Sequence, residues 1–505
     1  MITGAELSGE SPEIAAGESM VAISRPARKG ARLYLSASLT AQAMALVRYV
    51  VLARLLGPEQ LGLAATLIVT ASFFDMISDT GADRFLIQDR EGDSEPIQKL
   101  VQLVYVTRGS MIAIALAIFA IPLAALYKQP VLAAGFAFLG IARFIRGFLH
   151  LDMRRAQRTN DFGPEAKCII ASEVIGLVVM VAAAWFTRSF TAVVWGIIAR
   201  ACVAVVLSHL LAKRRYAIGW DRADAPRLIR FSLPLMISGL MLFIGSQGDR
   251  VVVADWLGTK MLGEYSAVLL LIYYPAALVS GYVHALFVPM VAAERDDPER
   301  RDKVIEFLGG QTLLLGIGMC AGFALVAPLA VTVLYGHRYT QSALLVALIG
   351  ILQSTRFLIV WPTTVNLSLG RTRPVLVSNI VRFLAYPGAF VGVYLMGGLA
   401  GLVAGFAAGE LIAIAAGVVL MNRGAGRAWL AEFDRLAAFA LTCGLAVGWN
   451  LALARASTMA EIALAVASIA LGAWIARRER EVIAEAVTLA RRAAPLVFAR
   501  AKAAG

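Results

Sequence analysis

The chain has 505 residues, of which 59% are hydrophobic and 16% charged, and its mean hydropathy is +0.74. Soluble domains run at about 45–50% apolar and about 25% charged residues, so this composition excludes a soluble enzyme, a disordered chain and a coiled coil. Lys and Arg number 47 against 34 Asp and Glu, a net charge of +13; where that excess sits decides whether it serves nucleic acid, lipid or an anionic ligand.

Residues 1–24 are rich in Gly, Ser and Glu and hold no apolar run long enough for a signal peptide. Residues 1–28 are therefore expected to form a disordered cytoplasmic tail. Spans of roughly 20 apolar residues are then expected near 31–56, 58–78, 97–127, 131–153, 164–186 and 190–212, an N-terminal six-helix half within 29–213. A cytoplasmic linker (214–226) leads to spans near 228–256, 260–290, 304–335, 340–369, 373–396 and 398–421, the C-terminal half within 227–423. Two additional transmembrane helices follow near 430–454 and 458–476, giving about 14 spans, with 12 as the alternative. Gly57-Pro58, Gln129-Pro130, Gly163-Pro164 and Gly397-Gly398 mark turns between spans. Residues 477–505 mix apolar and basic side chains and are expected to lie as an amphipathic segment on the cytoplasmic membrane surface.

Loop charge sets the orientation. One set of loops carries Arg154, Arg155 and Arg158; Lys213, Arg214, Arg215 and Arg222; Arg295, Arg300, Arg301 and Lys303; Arg371 and Arg373; Arg423 and Arg427. The alternate loops hold Lys128, Arg188, Lys260, Arg338 and Arg455, about one each against about two to four. Both termini are therefore expected on the cytoplasmic side of a bacterial inner membrane. Cys168, Cys202, Cys320 and Cys443 lie far apart in apolar runs and read as small buried hydrophobes, with no disulfide framework, metal spacing or cofactor motif.

An internal repeat underlies the two halves. LGPEQLG (56–62) recurs as LGTKMLG (257–263), Pro164 answers Pro374, and Gly196 answers Gly405, at offsets of 201, 210 and 209. Six spans per half is an even number, so both halves enter the membrane in the same sense, with a pseudo-two-fold axis along its normal.

Ionisable residues sit deep in these spans: Arg48, Arg108, Arg143, Glu173, Arg200, Asp249, Arg250, Arg356, Arg382 and Glu410. Arg48 lies nine residues before Gly57, roughly 13 Å from the helix end. A charge at that depth costs about 2.5–3.5 kcal/mol, so each group faces a water-filled cavity or an opposite charge. The arginine excess points to an anionic ligand held by Arg48, Arg108, Arg143, Arg200, Arg250 and Arg356. Asp249, Glu173 and Asp75 are the candidate gate or ion-coupling acids. Asp249 holds in the second half the place that Arg48 holds in the first, so the repeat predicts an Arg48–Asp249 ion pair across a central cavity. Arg382 and Glu410 are expected to pair locally or to make lipid-edge contacts, and His284, Trp361, Tyr273 and Tyr274 to be packing or membrane-belt residues. No P-loop, GxSxG or HExxH motif occurs, and no long catalytic loop, so an enzyme is not expected.

ALVRYVVLARLLGPEQLGLAA (45–65) resembles the first helix pair of bacterial polysaccharide flippases of the multidrug/oligosaccharidyl-lipid/polysaccharide exporter superfamily. DTGADRFLIQ (79–88) resembles the segment after their second helix. IGSQGDRVVVADWLGTKMLGEYSA (244–267) is similar to their seventh-helix entry. The resemblance implies a V-shaped pair of six-helix bundles around a cationic cavity. It also implies translocation of an undecaprenyl-pyrophosphate-linked oligosaccharide from the cytoplasmic to the periplasmic leaflet by alternating access. Arg48 matches a first-helix arginine assigned to the pyrophosphate in related lipid II flippases, although Tyr49 stands where that branch commonly has an acid. Further expected partners are membrane lipids, H+ or Na+ as coupling ion and the polysaccharide polymerase or chain-length machinery, but not nucleic acid. The alternatives are a multidrug/cation antiporter of the same superfamily and a lipid II flippase.

Overall fold

The computed structural model describes residues 25–159, 161–339, 342–455 and 458–484. Most of the expected N-terminal tail and of the basic C-terminal segment lies outside the described residues. Among the described residues all regular structure is helical. The first half comprises α1 (Arg25–Ile77), α2 (Ala82–Gln88), α3 (Glu95–Ile118), α4 (Ala120–Leu126), α5 (Leu132–Gly147), α6 (Asp152–Gln157), α7 (Gly163–Thr187) and α8 (Thr191–Leu210). The second comprises α9 (Ala225–Trp256), α10 (Gly258–Ala293), α11 (Pro298–Tyr335), α12 (Ala343–Leu358), α13 (Val360–Ser368), α14 (Thr372–Val381), α15 (Ala385–Met396) and α16 (Gly398–Ala425), followed by α17 (Phe433–Arg455) and α18 (Thr458–Arg478).

Twelve helical stretches among the described residues are long and apolar enough to cross a membrane. The first of them joins two arms of α1 at Gly57, whose backbone is left-handed (φ 77°). The span expected over 131–153 is shorter than its apolar run: α5 ends at Gly147 after 16 residues. Side chains of neighbouring helices take over its backbone groups there. Gln102 donates to the Leu149 carbonyl (2.8 Å) and the His150 amide donates to Ser208 Oγ (2.9 Å), satisfying groups that would otherwise demand helix or water. Two further spans are broken ahead of a proline. α12 stops at Leu358, four residues before Pro362, and a 3-10 turn at Arg382–Leu384 precedes Pro387. The proline ring crowds the carbonyl four residues back, which unwinds each helix there.

The repeated glycines explain how the halves meet. Gly57 and Gly258 both adopt positive φ (77° and 86°) where two long helices join. A Cβ on Gly62 would collide with the Thr259 carbonyl and approach the Gly263 amide, and a Cβ on Gly263 would collide with the Pro58 carbonyl and the Gly62 amide. The second arm of α1 and α10 thus cross backbone to backbone through the two copies of one motif. At the same end Arg54 donates to the Leu334 and Val333 carbonyls (both 2.6 Å) and Tyr339 to the Ala53 carbonyl (3.1 Å). At the other end Gly239 packs on the Met76 carbonyl and Gly81 on Leu235, and Arg227 binds Asp89 and Glu91 (both 2.7 Å).

Within each half small residues again set the closest contacts. α7 lies on α8 through Gly176 and Gly196, and α15 on α16 through Gly388, Gly392, Gly401 and Gly405. α18 is otherwise peripheral, with only 6% of its apolar window buried. Its end is fastened by ionic contacts: buried Arg435 of α17 binds Glu479 (2.6 Å) and Glu432.

Leucine at Gly62 or Gly263 should therefore lower the stability of the detergent-purified protein by about 1–3 kcal/mol, the usual cost of overpacking. Gly281→Ala, where the new methyl meets open space, should leave the melting temperature unchanged or raised.

Candidate functional site

A cavity of about 480 Å³ lies between the halves. α1 contributes Arg48, Ser72 and Asp75, α5 Arg143 and Arg146, α8 Arg200, α9 Gln247 and Arg250, and α10 Tyr273 and Tyr274. Two smaller cavities, of about 250 and 220 Å³, share Arg143 and Arg146 with it and extend toward Arg154; Arg108 lines the smaller. Five arginines thus line the main cavity against one acid, Asp75.

Three of these arginines hold a carboxylate. Glu173 on α7 accepts from Arg48 Nη1 through Oε2 (3.1 Å) and from Arg200 Nη1 through Oε1 (2.6 Å), so one acid clips α1, α7 and α8 together. Asp75 takes Arg143 Nη2 at 2.6 Å. Arg108 leans on the same arm of α1, donating to Ser78 Oγ (3.0 Å) and the Asp75 carbonyl (2.5 Å). Arg146 and Arg250 have no carboxylate within ion-pair distance among the described residues. Arg146 makes no side-chain hydrogen bond there, and Arg250 is joined only to Gln247 (2.8 Å), with its Nε unsatisfied.

The second half encloses its charges. Asp249 Oδ2 accepts from Tyr265 Oη (2.6 Å) and Arg356 Nη1 (3.1 Å), and Asp249 Oδ1 accepts from the Arg250 amide (3.0 Å). Arg356 Nε donates to Glu410 (3.1 Å), which also takes Arg382 in a bidentate pair (2.8 Å to each oxygen). Glu410 and Asp249 are buried.

The predicted Arg48–Asp249 pair is not formed. Each residue finds its opposite charge inside its own half, because Glu173 and Arg356 are nearer than the facing bundle. Arg356, expected in the lumen, lines none of the three cavities and is neutralised by two acids. The expectation of four buried cysteines also fails at Cys202, which is exposed on α8; an apolar run does not tell a lipid-facing position from a helix-facing one. Tyr273 and Tyr274 line the cavity, whereas Trp361 is core and His284 hydrogen-bonds Thr364 (2.9 Å).

Arg146 is the residue that sequence reasoning missed. Its signal was available twice: it stands three residues after Arg143, hence on the same helix face, and 210 positions before Arg356. The repeat offsets also align Arg48 with Asp249, Glu173 with Arg382 and Arg200 with Glu410. The four aligned positions therefore read Arg, Arg, Glu, Arg in the first half and Asp, Arg, Arg, Glu in the second. Three of four charges are reversed, leaving the first set at net +2 and the second neutral.

The flanking loops are stitched by ordinary surface ion pairs. Asp93 binds Arg155 (3.0 Å) and Arg214 (3.3 Å). The Arg155 hydrogen bond, with the charges of Arg214 and Arg158, holds the Asp93 carboxyl below its usual range.

Residues 51–344 match the family described as "Polysaccharide biosynthesis protein", more than half of the chain. The chain belongs to this family. Among its relatives is the succinoglycan biosynthesis transport protein ExoT of Rhizobium meliloti, 27% identical over 296 residues, 58% of this chain. That alignment spans 59% of ExoT, less than two thirds of its length. The amylovoran biosynthesis protein AmsL of Erwinia amylovora is 30% identical over 105 residues, 20% of this chain and 26% of AmsL. The fold matches that of the lipid II flippase MurJ in its inward closed conformation (TM-score 0.65, 10% identity, 89% of this chain and 99% of that one). It also matches an inward-facing multidrug resistance MATE transporter of the MOP superfamily (TM-score 0.61, 13% identity, 80% and 96%). The protein is thus a multi-pass membrane member of the polysaccharide biosynthesis family with the fold seen in MurJ and MATE structures.

In this family member the two ionic sets should respond differently to mutation. Glu410→Ala leaves Arg356 and Arg382 short of a carboxylate in a buried site and should cost about 3–5 kcal/mol of stability. Lys303→Ala, which breaks only the exposed pair with Glu299, should cost less than about 1 kcal/mol. Thermal unfolding in detergent measures both.

Proposed function

We propose that the protein is a flippase that carries an undecaprenyl-pyrophosphate-linked oligosaccharide from the cytoplasmic to the periplasmic leaflet for surface polysaccharide biosynthesis. The observation that carries this reading is the cavity between the halves, with five arginines against one aspartate on its wall. A pyrophosphate presents about two negative charges and several oxygens, and a guanidinium meets such groups with paired donors, which favours arginine over lysine. The polyprenyl tail stays in lipid while the head group crosses. The relationship to succinoglycan and amylovoran biosynthesis proteins supports an exported polysaccharide as the destination.

In this reading the two arms of α1 count separately and the short α5 spans as well, giving 14 spans. The reciprocal Gly62–Gly263 contact supports a pseudo-two-fold axis along the membrane normal, since equivalent residues meet on such an axis. Alternating access is a rocking of residues 29–213 against 227–423 about that crossing, with 214–226 as cytoplasmic linker and both termini cytoplasmic. Residues 428–476 add the last two spans, and 477–505 lie on the anionic inner surface. Asp75 and Glu173 are the acids placed to respond to a coupling H+ or Na+. Polymerase and chain-length proteins receive the cargo on the far side. A cation antiporter is disfavoured by the same cavity, because an arginine-lined wall repels cationic drugs.

Deleting the gene should abolish the surface polysaccharide while lipid-linked repeat units accumulate in the inner leaflet; restored drug efflux in a pump-deficient strain, without that accumulation, would reverse the assignment. Arg146→Ala or Arg250→Ala should reduce export about ten-fold or more. Melting temperature should hold, since neither guanidinium secures a carboxylate.

A further inference from the structure

Glu173, like Glu410, holds two arginines, and it differs in where it holds them. Its two oxygens are spent on two arginines from different helices, Arg48 on the first arm of α1 and Arg200 on α8. Both arginines line the main cavity, and Glu173 itself lines the adjoining one. It therefore reaches these guanidinium groups from the far side of the wall that a ligand would approach.

The equivalent clip in the second half is closed. Glu410 has a side chain 3% exposed and shares Arg356 with Asp249, so each guanidinium there meets a full complement of carboxylate. In the first half one carboxylate serves two arginines, with the partnerless Arg146 nearby. Arg48 and Arg200 keep 18% and 31% side-chain exposure, against 15% for Arg356. One negative charge between two positive ones is a weaker match than a diphosphate, which offers about two charges and more oxygens to the same fork-shaped donors.

We propose that Glu173 is a displaceable resident counter-anion. It occupies Arg48 and Arg200 in the empty carrier, yields them to the diphosphate of the cargo, and retakes them to expel it. The inference rests on the cargo assigned above and deepens it. It also gives binding a mechanical consequence. Among the described residues Glu173 is the ionic link between the first arm of α1 and the α7–α8 pair, and that arm ends at the left-handed break of Gly57. Exchanging the carboxylate for a mobile anion frees the arm from α7 at the step where one half must move against the other. Asp75 has no such reach, since it holds Arg143 alone.

The test uses the full-length protein in nanodiscs with sugar-free undecaprenyl pyrophosphate and, separately, inorganic pyrophosphate as probes. Glu173→Gln should bind both about ten-fold more tightly than the wild type, because a charge-assisted competitor has been removed. Reconstituted in proteoliposomes it should translocate lipid-linked cargo more slowly, since nothing reclaims the arginines. Glu173→Asp, too short to reach both arginines, should show the same split to a smaller degree and guards against a folding defect in the first variant. Glu165→Gln removes another cavity-side carboxylate, paired with Arg154 rather than with Arg48 or Arg200, and should alter affinity by less than about two-fold. Binding in the wild type that Glu173→Gln does not strengthen, or strengthens no more than Glu165→Gln, overturns the counter-anion role and leaves the cargo assignment standing. Tighter binding with undiminished transport overturns the release step. A wild type that binds neither probe removes both.

Discussion

A charge at membrane depth must meet water or an opposite charge, and that requirement organises this protein more than any apolar contact does. An arginine left bare at the centre of a bilayer costs about 2.5–3.5 kcal/mol on insertion scales, and the deep ionisable groups of the sequence could not all bear it. The structure divides them into two kinds. In the second half Asp249, Arg356, Glu410 and Arg382 form one closed chain of ion pairs that neutralises itself. In the first half Glu173 and Asp75 pair with three arginines, while Arg146 there and Arg250 on α9 line the cavity with no carboxylate in ion-pair distance among the described residues.

The reversal of charge between aligned positions explains the difference without invoking different folds. Arg146 and Arg356 occupy corresponding places, yet Arg356 meets two acids because the residues aligned with Arg48 and Arg200 are Asp249 and Glu410. Aligned sequence positions thus carry a closed ion network in the second half and part of an arginine-rich cavity wall in the first. The closed network ties α9 to α12 and, through Glu410, to α16 within the second half.

The frame itself rests on small residues. Backbone approaches at Gly62 and Gly263, and along the α7–α8 and α15–α16 seams, require the absence of a side chain. Apolar burial does not drive such contacts in lipid, so close packing and the ionic clips must. The halves touch at both ends of the cavity, through Arg54, Tyr339 and the glycine crossing at one end and through Arg227 and Gly239 at the other.

Much of this was legible in the chain alone. Apolar runs of bilayer length and their turns located the helices, because hydropathy is a local property of the chain. The repeated LG motif located the seam, and depth within a run identified the charged residues of interest. Helix ends were less legible: α5 stops at Gly147 because Gln102 and Ser208, on other helices, satisfy its backbone. The choice of partners was settled by tertiary structure. Arg48 and Glu173 are 125 residues apart and Asp249 and Arg356 are 107 apart, and no local pattern says which acid an arginine will face. The sequence determined where charge would lie within the membrane; only the packing of the two bundles decided which charges cancel and which remain for a ligand, because cancellation depends on distance in space and not along the chain.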